Sequence, residues 1–146
     1  MQTLEISTKG YTDIIEITDK VQEIIDKEKM KDGVCHLFVI GSTAALSTCE
    51  DDGNLYEDIK EVLEEMTPYG RDWKHHRTWH DDNGAAHVRA TMFGPSLTVP
   101  VENGRLLLGT WQKIVLIDFD TGPRTRKITV TPISGNTDRS PGNKSN

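Results

Sequence analysis

The apolar run over residues 34–40 constrains the fold of this chain more than any other segment. It has the length of a β-strand, and its nearly continuous apolar character predicts a strand that is buried on both faces. Gly41, Ser42 and Thr43 end the run before a second short strand over residues 44–49. Because the whole chain has 146 residues, we expect these strands to lie in one domain with one core.

The segments on either side of this run predict further strands and two helices. Gly33 favours a left-handed C-cap for the first helix, and Pro68 and Gly70 end the second. The predicted elements are strands over residues 4–8 and 11–18, a helix from Thr18 or Asp19 to Gly33, and a helix that starts near Asn54 with Leu55, Ile59, Val62, Leu63 and Met66 at helical spacing.

The second half of the chain predicts mostly strands. Residues 71–86 show no clean period, which indicates a long loop, and Trp73 and Trp79 favour an ordered one. Strands are predicted over residues 88–93, 96–101, 105–108, 110–118 and 126–132, with a tight turn at Asn103-Gly104. The resulting order is ββ-α-ββ-α followed by a β meander, an α+β fold in which helices cover a mostly antiparallel sheet. Residues 1–136 form the predicted domain, and residues 137–146 form a polar tail without apolar residues, which we expect to be disordered.

The composition excludes several classes of partner. A net charge of −6 argues against nucleic acid or an anionic membrane as the main partner, although a small anionic ligand responds to local charge. No apolar stretch approaches the ~20 residues that span a membrane, and the N-terminus lacks the features of a signal peptide. Cys35 and Cys49 are too few for a disulfide framework, which favours free thiols in a reducing compartment. We therefore expect a soluble cytoplasmic protein.

Four of the five histidines fall between positions 75 and 87, and three residues there suggest a metal site. His75, Asp82 and His87 supply two imidazoles and a carboxylate, which can bind a divalent metal such as zinc or magnesium and leave positions open for substrate. They can also share acid and base work. The spacing does not match a helix face, so the loop must fold back to join them. The alternative is a polar surface loop.

Other polar residues extend the candidate site. Ser42 and Thr43 can donate to an oxyanion or phosphate, or they form an ordinary turn. Arg124 and Arg126 flank the turn at residues 122–123 and suit bidentate binding of phosphate or carboxylate, unless they pair with surface carboxylates. Glu50, at the end of a strand, can join a metal site or act as a base.

The remaining polar residues of these segments are expected to have either a structural role or a role that the sequence leaves open. Asp81 and Asn83 are expected to hold the loop through local turn hydrogen bonds, and His80 is an extra ligand or simply exposed. Trp111 is expected in the core. Gln112 would lose free energy if it were buried without partners, so it is expected to reach a ligand or a neighbouring strand.

Several motifs resemble those of the YjbQ-like family, whose members are known as secondary thiamine-phosphate synthases. The longest is SLTVPVENGRLLLGTWQKI over residues 96–114. FVIGSTAAL over residues 38–46, DDNG followed by HVRA over residues 81–90, and DFD followed by PR over residues 118–124 also resemble the family. The resemblance covers the chain to about residue 133.

The resemblance implies a single α+β domain whose β-sandwich assembles as a homotrimer. It also implies weak thiamine-phosphate synthase activity, a transfer that joins a pyrimidine diphosphate to a thiazole phosphate with loss of pyrophosphate; a cation would stabilise that leaving group. Many members carry a histidine where this chain has Gly41. The residues that match family site positions are His75, Asp82, His87, Glu50, Gln112 and Arg124.

Three functions are compatible with these features. The first is an enzyme that acts on a small phosphorylated metabolite, in which Arg124, Ser42 and Thr43 hold phosphate, Gln112 orients the substrate, and the His75, Asp82 and His87 group binds metal or moves protons. The second is a metal-dependent hydrolase that uses the same ligands to activate water. The third is a trimeric metabolite-binding protein without catalytic activity.

Overall fold

The chain folds into two antiparallel sheets with four helices, and the computed structural model describes residues 1–135. The predicted tail over residues 137–146 lies outside the described residues. In chain order the elements are β1 (Gln2–Thr8), β2 (Asp13–Glu16), α1 (Thr18–Lys27), β3 (Gly33–Ile40), β4 (Ala44–Cys49), α2 (Gly53–Met66), α3 (His76–Trp79), α4 (Gly84–Phe93), β5 (Ser96–Glu102), β6 (Arg105–Leu106), β7 (Lys113–Asp118) and β8 (Arg124–Ser134).

The two sheets pack face to face and differ in size. The large sheet has the order β1-β8-β3-β5-β6, and the small sheet has the order β2-β7-β4. The main core contains the inward side chains of both sheets together with Val21, Ile24 and Ile25 of α1. A second cluster joins the far face of the small sheet to Leu63 of α2 and Ala86 and Ala90 of α4. The small sheet is therefore covered on both faces, by the large sheet and by helices.

Strand β7 is buried on both faces, whereas β3, for which we predicted this, is buried on one face only. Ile114 and Leu116 of β7 lie in the main core, and Val115 and Ile117 lie in the second cluster. Along β3, Cys35, Leu37 and Val39 are buried, whereas Phe38 is 39% and Ile40 is 54% exposed. In the described part of the chain no helix covers that outer face. A continuous apolar run therefore does not show whether one or both faces of its strand are covered.

The segment before β5 is helical, so the predicted count of two helices and the predicted strand over residues 88–93 are wrong. α4 begins inside the expected loop and continues through the expected strand. Ala85, Ala86 and Ala90 have high helix propensity, and as small buried residues they let α4 pack closely against the small sheet. Arg89, also buried, lies on the same helix. A helix with buried residues on most sides lacks the amphipathic period that sequence inspection detects.

The predicted strand over residues 110–118 starts late, at Lys113. The three residues before it form a turn in which the N–H of Gln112 donates to the carbonyl of Gly109 over 3.0 Å. Trp111 is consequently 73% exposed, and its expected place in the core is wrong.

The structure bears on the state of the cysteines and on membrane-spanning helices. Cys35 and Cys49 are free thiols, Cys35 buried and Cys49 half-buried. Among residues 1–135, no helix combines the length and the apolar character that crossing a membrane requires.

A buried ion pair links the two sheets at the end that carries the polar residues. Arg126 of β8 donates to Asp118 of β7 through Nε, 2.7 Å from Oδ2, and through Nη2, 2.8 Å from Oδ1. Thr8 of β1 donates its hydroxyl to Oδ2 over 2.5 Å. Burial alone raises the pKa of Asp118, but the bonds from Arg126 and Thr8 outweigh it and hold this pKa below its ordinary value.

We predict that Asp118→Asn lowers the free energy of unfolding by about 3 kcal/mol, because it leaves the buried Arg126 without its counter-charge. A carboxyl with a lowered folded-state pKa stabilises the fold above its ordinary pKa of 3.8, and this contribution is lost as the pH falls through the folded-state value. The stability of the variant should therefore fall less steeply in acid than that of the wild type.

Urea unfolding at pH 7 and at a series of lower pH values measures both effects. Glu57→Gln is the matched control, because Glu57 forms an exposed ion pair with Lys60, 3.2 Å between Oε1 and Nζ, and such pairs contribute little. Equal stability of Asp118→Asn and Glu57→Gln would contradict the structural role of the buried pair.

Candidate functional site

His75 and His87 come together beside α4, as the sequence predicted they would if the loop folded back. Their ring centroids are 4.5 Å apart and the ring planes are tilted by 40°. Gly84 permits this approach, because a Cβ added there would lie 2.6 Å from Cβ of Trp73 and 3.3 Å from Cβ of His75. A glycine at the start of α4 therefore allows the segment before α3 to pack against the helix that carries His87.

The surroundings of His87 favour a neutral imidazole. Burial lowers its pKa first, and the neighbouring His75 lowers it further, while Asp120 and Asp81 act in the opposite direction and do not reverse the shift. A half-buried imidazole with a lowered pKa is unprotonated at neutral pH and can accept a proton.

The predicted metal triad is not assembled, because the carboxylate of Asp82 faces His76, and His75 has Asp81 beside it instead. Nε2 of His76 lies 3.1 Å from Oδ1 of Asp82, and Nδ1 of His75 lies 3.5 Å from Oδ1 of Asp81. The Asp82 side chain is 82% exposed. Within residues 1–135, no three His, Cys, Asp or Glu side chains are grouped so that they could hold a metal ion. A zinc or magnesium cofactor stays a prediction from the sequence, and this donor set does not fit it.

A cavity of about 600 Å³ lies against the two histidines, and we call it the histidine cavity. Its wall combines cationic side chains with apolar ones. Trp73 is held in place because its Nε1–H donates to the carbonyl of Pro68 over 2.8 Å, and the guanidinium of Arg71 lies 4.5 Å from the ring centroid. The lining residues are Arg71, Asp72, Trp73, Lys74, His75, Arg77, Gly84, His87, Val88, Thr91 and Met92.

The cationic wall of this cavity was missed by sequence reasoning. Arg71, Lys74 and Arg77 recur at intervals of three residues, in a segment that we interpreted only as a loop. This regular spacing of basic residues around Trp73 is the sequence feature that could have predicted a cationic wall. Three cations and one carboxylate, Asp72, give the cavity a positive local charge although the chain is acidic overall.

A second cavity, of about 250 Å³, also has His87 in its wall, and we call it the arginine cavity. It gathers five of the predicted site residues: Ser42, Thr43, His87, Arg124 and Arg126. Gly41, Asn83 and Asp120 complete its wall. His87 is therefore a lining residue of both cavities.

Hydrogen bonds hold Arg126 in the wall of the arginine cavity, and one of its amino groups has no partner there among residues 1–135. Its Nη2 also donates to the hydroxyl of Thr43 over 2.7 Å, in addition to the two bonds to Asp118. Nη1 makes no hydrogen bond to the residues that the structure describes. A Cβ added to Gly41 would lie 2.8 Å from Nη1, and Gly41 has a φ of 143°, which favours glycine. The absence of a side chain at Gly41 therefore leaves this amino group uncovered.

Asp120 organises the rest of the arginine cavity. It accepts a hydrogen bond from the hydroxyl of Thr43 over 2.9 Å, and its Oδ2 lies 2.7 Å from Nε of Arg124. Burial raises the pKa of Asp120, but the bonds from Thr121, Thr43 and Asn83 outweigh it and lower this pKa overall. Thr43 is thus committed to the wall, while the terminal amino groups of the half-exposed Arg124 remain available to an anion.

Buried polar atoms without a partner are concentrated in this region. Among the described residues there are three on side chains: Nδ1 of His75, Nε2 of His76 and Oδ1 of Asn83. The two imidazole nitrogens lie near the carboxylates noted above, but not in the orientation of a hydrogen bond. Native proteins leave few such atoms, and each calls for a reason such as a ligand or a catalytic role. Their concentration within nine residues makes this segment a candidate for ligand binding.

Glu50 and Gln112 lie elsewhere. Strand β4 separates them from Ser42 and Thr43, because Ala44 pairs with Asp118 at one end and Cys49 pairs with Lys113 at the other. The six residues of β4 span roughly 20 Å. Gln112 donates from Nε2 to the hydroxyl of Thr48 over 3.1 Å and accepts from the N–H of Gly109 over 3.1 Å. Their roles toward substrate stay predictions from the sequence, and neither residue lines the two cavities.

Comparisons with known proteins agree with the motifs. Residues 2–135 match the model of the family described as UPF0047 protein YjbQ-like. A UPF0047 protein of Archaeoglobus fulgidus is 42% identical over 127 residues, which cover 87% of this chain and 96% of the relative. UPF0047 protein YugU of Bacillus subtilis is 35% identical, with 86% and 93% covered.

Solved structures show the same fold. A crystal structure of a YjbQ/UPF0047 protein from Clostridium acetobutylicum superposes with a TM-score of 0.84 at 34% identity, covering 91% of this chain and 100% of that protein. A YbjQ-like protein of unknown function from Sulfolobus solfataricus gives a TM-score of 0.79 at 37% identity, covering 88% and 94%.

We predict that the pKa of His87 lies below its ordinary value of 6.5 and rises in His75→Phe. Phenylalanine keeps a ring against His87 but removes the electrostatic effect of His75, so that burial is opposed only by Asp120 and Asp81. Titration of the imidazole Cε1–H signals by two-dimensional NMR measures both values. His36→Gln, on the large sheet, should leave the pKa of His87 unchanged. A His87 that titrates at 6.5 or above in the wild type would contradict this interpretation.

Proposed function

The chain belongs to the YjbQ-like UPF0047 family, and on that premise we propose that it is an enzyme that acts on a small phosphorylated substrate. The observation that carries the proposal is the position of His87, an imidazole with a lowered pKa in the common wall of two cavities that both contain cationic side chains. A proton acceptor beside fixed cations suits proton transfer on a bound anion.

The arginine cavity holds the phosphate in this proposal. The terminal amino groups of Arg124, Nη1 of Arg126 and the exposed hydroxyl of Ser42 are donors without a partner among the described residues. Guanidinium groups bind phosphate through paired, charge-assisted hydrogen bonds. The bidentate bond to Asp118 fixes Arg126 before the ligand arrives, so little ordering remains to be done on binding.

The histidine cavity accepts the organic part of the substrate. Trp73, Val88 and Met92 supply an apolar wall, and Arg71, Lys74 and Arg77 supply positive charge. Such a field raises the local concentration of anions. It also suits a substrate with a second anionic group or an anionic leaving group.

The chemical step assigned to His87 is proton transfer. As a neutral imidazole it takes a proton from the attacking or departing group of the substrate. Burial and then the adjacent His75 lower its pKa, which favours the return of that proton later in the reaction. Thiamine-phosphate synthase activity, which the family resemblance implies, is one such reaction: its leaving pyrophosphate would be stabilised by the cationic wall. A metal-dependent hydrolase is favoured less, because the ligand triad is not assembled.

We predict that His87→Gln lowers turnover by about 10²- to 10⁴-fold, the usual contribution of a general base, while phosphate binding persists. The assay combines a panel of small phosphate esters with the two thiamine-phosphate synthase substrates. His80→Gln is the matched control, since His80 is an exposed histidine of the same segment that lines neither cavity.

The outcomes separate the functional alternatives. Unchanged turnover in His87→Gln would remove the histidine from the mechanism. Tight binding of a metabolite by the wild type, without turnover of any substrate in the panel, would establish the non-catalytic binding protein instead.

We also propose that the chain forms the homotrimer that its family resemblance implies. Support comes from the outer face of the large sheet, where Phe38, Ile40 and Ile133 are exposed. Phe38 and Ile40 lie on β3, and β3 pairs with β8, which carries Ile133. Exposed apolar groups of this kind are typical of surfaces that another subunit covers.

We predict a mass of three times the 16.4 kDa of one chain in light scattering coupled to gel filtration. The double substitution Phe38→Glu and Ile40→Glu should give a folded chain of lower mass, because it places charges in the proposed contact. The substitution Thr3→Glu, at an exposed position of the edge strand β1, is the control. A monomeric wild type would contradict the trimer.

A further inference from the structure

Asn83 is a buried amide in the wall of the arginine cavity with one end unsatisfied. The residue is 7% exposed and immediately precedes α4. Its Nδ2 donates to Oδ1 of Asp120 over 3.4 Å, whereas Oδ1 has no hydrogen-bond partner among the described residues. The side chain does not cap the helix that follows it, so the structural role expected from the sequence does not account for its position.

The orientation of this amide is determined by Asp120. The lowered pKa of Asp120 keeps its carboxylate ionised, and an ionised carboxylate only accepts hydrogen bonds. Exchanging the two ends of the amide would place Oδ1 of Asn83 against that carboxylate. The amide oxygen is therefore held away from Asp120 as an acceptor that lacks a donor.

The other free groups of the cavity are donors. Nη1 of Arg126 and the terminal amino groups of Arg124 are available to the oxygens of an anion. An anion without hydrogens satisfies these donors but brings a further acceptor to Oδ1 of Asn83. An anion that carries a hydroxyl satisfies both kinds of group at once.

We propose that Asn83 is a specificity residue that accepts a hydrogen bond from the bound anion, so that the arginine cavity selects oxyanions that carry a hydrogen. The inference rests on the proposed phosphate site and adds the class of anion that it takes. Inorganic phosphate and singly charged phosphate monoesters have a P–O–H group, and sulfate has none at neutral pH. A doubly charged monoester would satisfy Asn83 through a hydroxyl or amino group next to the phosphate.

Binding of inorganic phosphate and of sulfate to the full chain at pH 7 tests the proposal, with calorimetry or NMR titration as the readout. We expect the wild type to bind phosphate about tenfold more tightly than sulfate, the size of one hydrogen bond gained in place of one buried acceptor left unpaired. Asn83→Ala should bind both anions with similar affinity. Asn83→Gly, which also removes the side-chain acceptor and is tolerated before a helix, covers the case in which the alanine variant does not fold.

Two further variants distinguish a failure of the phosphate site from a failure of the role of Asn83. Gly41→Ala should weaken both anions to a similar degree, because its Cβ would lie against Nη1 of Arg126. Asn54→Ala, in the first turn of α2 and exposed, should match the wild type. If neither anion binds the wild type, or if Gly41→Ala binds both normally, the phosphate site itself fails and the role of Asn83 fails with it. If the wild type binds phosphate and sulfate equally, or if both Asn83 variants keep the preference, only the role of Asn83 is overturned.

Discussion

The ion pair between Arg126 and Asp118 is the interaction on which the rest of this structure depends. It crosses from the large sheet to the small one and is buried at both ends. A buried ion pair gains little over apolar residues of the same size, because both charges lose their hydration. The presence of this ion pair is better explained by the groups that it holds in position. Asp118 binds one edge of the guanidinium through two hydrogen bonds and accepts the backbone N–H of Asp120 over 3.0 Å. One carboxylate therefore positions both the free amino group of Arg126 and the loop that carries Asp120.

Helix α4 connects this framework to the histidines. Its buried alanines place the helix directly on the small sheet, which carries His87 to the edge where Asp118 and Asp120 end their strand. Arg89 anchors the other side of the helix: it is almost fully buried, donates to the carbonyl of Thr67 at the end of α2, and lies 4.1 Å from the ring centroid of Tyr69. The position of His87 is thus set by the contacts of α4 with the small sheet and with the end of α2, and His75 packs against the imidazole from the segment before α3.

The sequence predicted the strands that have simple patterns and missed the structure of segments without one. β4 was predicted with its observed limits, because small polar residues precede it and an acidic run follows. α4 was interpreted as loop and strand, since its buried alanines and arginine erase the helical period. In the site, Ser42, His75, His87 and Arg124, which were chosen by residue type, line one or both cavities, while their roles stay predictions. Residue types could not assign Asp82, whose partner depends on left-handed backbone at His80 and Asp82 (φ 58° and 54°), or Glu50, whose distance from the site depends on the direction of β4.

The division of charge across the two cavities bears on how an acidic chain can bind an anion. In the arginine cavity each guanidinium already has a carboxylate partner, so the cavity adds little net charge and depends on directed donors. In the histidine cavity Arg71, Lys74 and Arg77 are exposed and face one carboxylate, so this cavity supplies the attractive field. Salt screens a field from exposed charges strongly and buried donors weakly. Attraction of an anion to the histidine cavity should therefore depend on ionic strength, whereas its discrimination beside Asn83 should not. His87, which lines both cavities, is exposed to both effects.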